Sequence, residues 1–129
     1  MKKSKKGAGR RRQYKSIGLL PFECPDCYNY VIELKESVTR DPAFMAKNPG
    51  YVQGNTCFYV GMTSENVEER FLQHFHGTKN ASRIAHTFGS RLRMDLVTNR
   101  EPVRRTWALE REERIAKQLR SQGFGAWMG

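Results

Sequence analysis

The chain has no apolar run near the ~18 residues that crossing a bilayer takes. Only the scrap Ile17-Gly18-Leu19-Leu20-Pro21-Phe22 follows its basic start, where a secretory signal carries a longer apolar stretch. No membrane partner is expected, and the expected location is cytoplasmic. Cysteine is scarce: three residues, an odd number that does not make a disulfide framework. Cys24-Pro25-Asp26-Cys27 has zinc-knuckle spacing, but no second pair follows. Reduced thiols are therefore the expectation, and a small zinc-stabilised adaptor is the outlying reading. There is no internal repeat, and 129 residues leave room for one core.

Acid is missing at one end. Residues 1–15 hold eight lysines and arginines and neither aspartate nor glutamate, while the rest of the chain carries 15 basic residues against 13 acidic. A nearly neutral body behind a cationic arm suits a polyanion. Residues 1–16 are read as an arm kept from ordering by its own repulsion, which adds affinity but no chemistry, and 17–129 as the domain.

Within that domain, residues 28–34 alternate, with Tyr28, Tyr30, Ile32 and Leu34 on one side and Asn29, Val31 and Glu33 on the other. That predicts a strand. Residues 35–56 carry the turn signals Asp41-Pro42, Asn48-Pro49-Gly50 and Gly54-Asn55, and read as a long connection with at most one helical turn. Residues 57–61 form a second short strand. Asn66-x-x-Glu69 has capping-box form and opens a helix over 67–75, with Val67, Phe71 and Phe75 as its buried stripe. A second helix over 80–88, a third strand over 91–97, a long helix from Pro102 to just before Gly123 and an extended finish complete the chain. The expected class is α/β or α+β: a small, mostly antiparallel three-stranded sheet flanked by helices.

Two polar placements stand out. Arg70 and His74 lie one turn apart beside the apolar stripe of their helix, where both could reach one anionic group. On a wheel of about 100° per residue, Glu112 falls among Ala108, Ile115, Ala116 and Leu119, inside the apolar arc of the last helix. A buried carboxylate costs several kcal/mol unless something positive meets it. An arginine or a metal ion would serve, and the pattern leaves both open.

Together these positions resemble the GIY-YIG nuclease superfamily. Tyr28-Asn29-Tyr30 stands where that family has Gly-Ile-Tyr, and Tyr59-Val60-Gly61 where it has Tyr-Ile-Gly. Phe58-Tyr59-Val60-Gly61-Met62-Thr63-Ser64, the eight residues between Gly61 and Arg70, and Arg70-x-x-x-His74 are the most specific stretch. Ala108-x-x-x-Glu112, with Ile115 and Lys117, resembles the family's metal-binding helix. The likeness runs from about Tyr28 to Trp127. It departs from the family at Tyr28, in the insertion 35–56, and in lacking the asparagine that some members carry near the end of the domain.

The resemblance implies a metal-dependent endonuclease hydrolysing phosphodiester bonds of nucleic acid, with DNA placed ahead of RNA. Tyr30, Tyr59, Arg70, His74 and Glu112 would be catalytic. Glu112 would hold Mg²⁺ with water completing the shell, and Mn²⁺ would substitute for it. Arg70 would clamp a phosphate oxygen, and Tyr30 would activate the attacking water. His74 is an alternative first acceptor of the proton. Lys79 could steady the phosphate, and Arg83, Arg91 and Arg93, with 35–56, are the places where substrate contacts are expected. The contrasting expectation is a nucleic-acid-binding module on the same fold with no catalysis. Oligomeric state is left open.

Overall fold

The computed structural model describes Gly18, Leu20 and residues 23–78 and 80–129. The arm expected over 1–16 and the phosphate contact expected at Lys79 lie outside the described residues. The chain is a mixed α+β fold. Its strands are β1 (Tyr28–Leu34), β2 (Cys57–Thr63), β3 (Gly89–Leu92) and β4 (Gly125–Met128), in the sheet order β3-β1-β2-β4. Its α-helices are α1 (Pro42–Ala46), α2 (Val67–His76), α3 (Arg83–Phe88) and α4 (Arg105–Ser121).

The sheet has four strands, not the expected three. β1 pairs antiparallel with β2 and β3, while β4 joins the free edge of β2 in parallel, Cys57 opposite Gly125 and Val60 opposite Met128. The finish after Gly123 is too short to announce itself as a strand. It becomes one because the turn after α4 delivers it to an open row of backbone donors and acceptors. The third strand begins earlier than expected and is shorter: Leu34 pairs with Gly89, and a 3₁₀ turn over Met94–Leu96 takes up the rest of the alternating stretch.

Period-two alternation sorts the interior into two layers. Tyr30, Ile32, Leu34, Cys57 and Tyr59 face Phe44, Ile84 and Ala85. Val31, Phe58 and Val60 face Ala116 and Leu119 of α4. The connection 35–56 is part of this core and not a loose insertion. Val38 and Phe44 are fully buried, and Phe44 stacks on Trp127 of β4 with centroids 6.2 Å apart. Buried Asn48 donates to the Phe44 carbonyl at 2.8 Å. Its Oδ1 accepts from the Ala126 N–H at 2.8 Å and from Arg120 Nε at 3.1 Å. One amide thus ties the connection to both β4 and α4.

α2 starts where expected, with Asn66 Oδ1 accepting from the Glu69 N–H at 3.0 Å, and it ends at Gly77, whose φ of 74° a glycine adopts without strain. Its buried face is not the expected stripe. Val67 and Phe71 are half-buried, Phe75 is 49% exposed, and His74 is the buried residue at 1%. The helix is turned so that the imidazole, which finds polar partners inside, takes the inner place. α3 begins at Arg83 and not at 80, because Ser82 caps it, accepting from the Ala85 N–H at 3.3 Å. Among the described residues no helix is long and apolar enough to cross a membrane.

Candidate active site

Tyr30 and Tyr59 project from neighbouring strands on the same sheet face, with ring centroids 6.1 Å apart. Register places Tyr30 opposite Gly61. A Cβ on Gly61 would lie 2.7 Å from both Cζ and Oη of Tyr30, so the ring has its place only because residue 61 has no side chain. Gly61→Ala is therefore expected to displace the Tyr30 hydroxyl and to destabilise the domain by about 1–3 kcal/mol, as overpacking does. Urea unfolding measures the loss. An unchanged midpoint would mean that the ring is not held there.

α2 brings His74 onto this pair. Its Nε2 lies 2.8 Å from Tyr30 Oη, and its ring meets Tyr59 edge-on at 5.1 Å. The backbone N–H of Ser82 donates to Nδ1 at 3.1 Å. A neutral imidazole has one lone pair and one N–H to offer. Ser82 claims the lone pair on Nδ1, so the proton sits on Nε2 and His74 donates to Tyr30. Burial, and then the charge of Arg70, lower its pKa to about 4, so it stays neutral at pH 7. In this tautomer neither ring nitrogen keeps an open lone pair for the alternative in which His74 is first to accept the proton of the attacking water.

Burial pushes the Tyr30 phenol well above its ordinary range. The neighbouring Tyr59 adds to that, and Arg70 pulls the other way. Tyr59 is also raised by burial, with Tyr30 and Arg70 working against the rise and the Glu112 carboxylate adding to it. Arg70 is half-buried. Its Nη1 donates to Gln73 Oε1 at 2.9 Å and its Nη2 to the Asn80 carbonyl at 3.3 Å, and Gln73 in turn donates to Glu65 Oε1 at 3.0 Å. These bonds set the guanidinium beside the two phenols, on both of which its charge acts.

Glu112 belongs to α4, which covers the other face of the sheet, yet its charge is felt at Tyr59. It is 5% exposed, and among the described residues it has no hydrogen-bond or ion-pair partner. Burial raises its pKa to about 7, with Arg105 acting against the rise. Its oxygens are not sealed from solvent, so a cation can reach them and relieve what burial of the charge costs. Among the described residues no three potential ligands cluster, so an ion here would rest on one carboxylate and water. That is a donor set Mg²⁺ accepts and most zinc sites do not.

No family model, curated protein or solved structure matches the chain. The pocket therefore has to be judged on its own geometry. Tyr30, Tyr59 and His74 touch, Arg70 acts on both phenols, and Glu112 reaches Tyr59 through its charge. The three arginines expected to contact substrate are otherwise engaged. Arg83 holds Asp41 through two bonds of 2.9 and 3.2 Å, Arg91 reaches Glu33 at 3.1 Å, and Arg93 bridges Glu33 and Asp95 at 2.8 and 2.9 Å. Glu33 alternates with Tyr30 along β1, so Arg91 and Arg93 are held on the sheet face away from the phenols. Cys24, Cys27 and Cys57 are buried free thiols, with Cys27 Sγ set 3.6 Å from Asp26 Oδ1.

Two residues of this neighbourhood escaped the sequence reading. Ser82 orients His74 through its backbone, which no side-chain pattern reveals. Arg105 sits seven positions before Glu112, two helical turns along the same face, and that spacing was there to be read.

Proposed function

We propose that the chain is a divalent-metal-dependent endonuclease of the GIY-YIG kind, acting on nucleic acid and on DNA ahead of RNA. What carries the reading is Glu112: a buried carboxylate without a partner among the described residues, whose charge bears on Tyr59, one of two touching phenols that also share an arginine and a neutral histidine. Structural ion pairs do not leave a carboxylate in that condition.

In this reading Arg70 receives a non-bridging phosphate oxygen in its planar fork. Tyr30, once its own proton has passed to solvent, orients the attacking water and takes that water's proton at Oη, while the departing 3′ oxygen is protonated by a solvent water. The Nε2–H of His74 and the charge of Arg70 favour the phenolate this requires, against the burial and the neighbouring Tyr59 that raise the Tyr30 pKa, so a bound cation would have to tip the balance. Tyr59 keeps the Tyr30 ring in place from the adjacent strand. Glu112 and water would hold Mg²⁺, which when bound supplies Lewis-acid stabilisation of the departing 3′ oxygen. The products are a 3′ hydroxyl and a 5′ phosphate.

The test is a panel of end-labelled single-stranded, duplex and flap oligonucleotides, each with Mg²⁺, Mn²⁺ or EDTA. Cleavage of at least one substrate in Mg²⁺ or Mn²⁺, lost in EDTA and leaving 3′ hydroxyl ends, is the expected outcome. One observation favours a second reading, a binding module without catalysis: Tyr30 is 1% exposed, so a water must reach a deeply buried phenol. Salt-sensitive binding across the panel with no cleavage under any condition would decide for that module.

A further inference from the structure

On the side of α4 turned away from Glu112 lies a groove of about 330 Å³ lined by Glu23, Pro25, Pro102, Val103, Arg104 and Trp107. Its wall is mostly proline, valine and indole. Trp107 is 52% exposed, and the Arg104 guanidinium lies over its ring at 4.6 Å from the centroid. A tryptophan in the first turn of a helix, half open to solvent, is a flat apolar surface on which, among the described residues, only the Arg104 guanidinium is stacked. Among the described residues Arg100 and Arg104 have no acid partner; the Arg100 guanidinium goes to the Met94 carbonyl at 2.7 Å. The one acid on the rim, Glu23, accepts from the Leu20 N–H at 3.0 Å.

Cations without counter-charges around an aromatic plate form the combination that binds single-stranded nucleic acid: phosphates meet arginine, and a base stacks on the ring. Its place in the fold suits this. Val103 and Cys27 exchange backbone hydrogen bonds of 2.9 Å, so the groove lies beside the entrance to β1. Tyr30 is three residues further on, about 10 Å at ~3.3 Å per residue. A stacked strand covers that distance in about three nucleotides at ~3.4 Å each.

We infer that the Trp107 groove is a stacking site for an unpaired base a few nucleotides from the scissile phosphate, with Arg104 holding an adjoining phosphate. This rests on the nuclease reading and adds to it a preference for substrate with unpaired bases beside the cut. It also explains why an α4 that needs only Ala108, Ala116 and Leu119 to pack carries an exposed tryptophan.

The experiment measures binding of a short oligothymidine, and of the same backbone made abasic, to the full chain in EDTA by fluorescence anisotropy. Wild type, Trp107→Ala, Trp107→Phe and Arg104→Ala are compared, with melting temperatures to establish that each is folded. Trp107→Ala is expected to weaken oligothymidine binding by about tenfold or more. The abasic oligomer should then bind within twofold of wild type, with the salt slope unchanged. Trp107→Phe should restore most of the affinity. Arg104→Ala should weaken both ligands and flatten the salt dependence by up to about one phosphate contact. Equal losses on both oligomers with Trp107→Ala, or none on either, would overturn the stacking site while leaving the nuclease reading in place. Failure of wild type to bind either oligomer would overturn the stacking site, while the nuclease reading falls only if the cleavage panel fails as well. Saturable quenching of Trp107 by a polyproline peptide and not by oligothymidine would give the groove to a protein partner instead.

Discussion

Glu112→Gln is expected to lower cleavage at saturating substrate by about a thousandfold or more. Metal-assisted stabilisation of the transition state is worth several kcal/mol, and each ~1.4 kcal/mol is a factor of ten. Glutamine keeps the shape of the side chain and removes the charge that would hold the ion. Stability should move the opposite way. Burial raises the folded pKa of Glu112 from 4.5 to about 7, so the folded state holds this proton longer than the unfolded chain. The carboxylate therefore costs stability as pH rises from 4.5 through 7, and the full cost is present above that. The glutamine variant has no such proton. It should gain on the wild type by about 3 kcal/mol between pH 4.5 and 8, at ~1.4 kcal/mol per pKa unit. Urea unfolding of both proteins across that range, read as the difference between them, checks this without any assay of activity. Mg²⁺ should narrow the gap at pH 8 by stabilising only the wild type. Cleavage by Glu112→Gln at the wild-type rate would end the metal reading, and a difference that does not vary with pH would end the account of the buried carboxylate.

Tyr30→Phe should be nearly as costly to the reaction, about 10²–10⁴ in rate, the usual worth of a positioned proton acceptor. The ring still fits over Gly61, so the backbone has no reason to move. What disappears is the oxygen that accepts from His74 Nε2–H at 2.8 Å. That donor is then buried without a partner, at a cost of about 1–3 kcal/mol. The pH dependence separates a chemical role from a structural one. His74, with its pKa lowered to about 4, favours the fold above the unfolded value of 6.5 and loses that contribution as pH falls from 6.5 toward 4. This applies to both proteins and cancels in the comparison. A loss of kcat at pH 7.5 with substrate affinity within threefold of wild type assigns Tyr30 to the chemistry. Matching losses in kcat and in melting temperature, both restored by a stabilising background, would reduce it to a packing residue. In the nitrogen spectrum of the wild type, His74 should appear as the Nε2–H tautomer. An Nδ1–H signal would reverse the direction of the Tyr30 bond and reopen the proton relay.

Much of the local structure can be read before any fold is known. Alternation along 28–34 specifies β1, because a half-buried strand has a period of two. Asn66 announces α2, because an exposed N–H at a helix start needs an acceptor. Glu112 declares its predicament through helical spacing alone. The pairing of β4 with β2 could not be read this way, since four residues after a turn have no period to measure. The work of 35–56 was equally hidden. Asn48 and Gly50 are turn residues by composition, but Asn48 acts as a buried node only because Ala126 and Arg120 arrive from the far end of the chain. The misplaced stripe on α2 has the same origin. A hydrophobicity pattern ranks Phe75 above His74, whereas inside the fold His74 finds Tyr30 and Ser82, and the half-exposed Phe75 ring meets those of Phe71 and His76.

The order of elements, the caps and the identity of the chemically capable side chains belong to the sequence by itself, because they depend on neighbours within a turn or two of helix or a few residues of strand. Which of those side chains meet, which way the imidazole proton points, and which arginines keep a charge to offer were decided only by the tertiary structure. Arg70 and Arg93 look alike in the sequence. Glu33 and Asp95 hold one, while the other is set beside two phenols, because strand pairing and helix packing bring distant residues within hydrogen-bond reach, and electrostatics depends on distance in space.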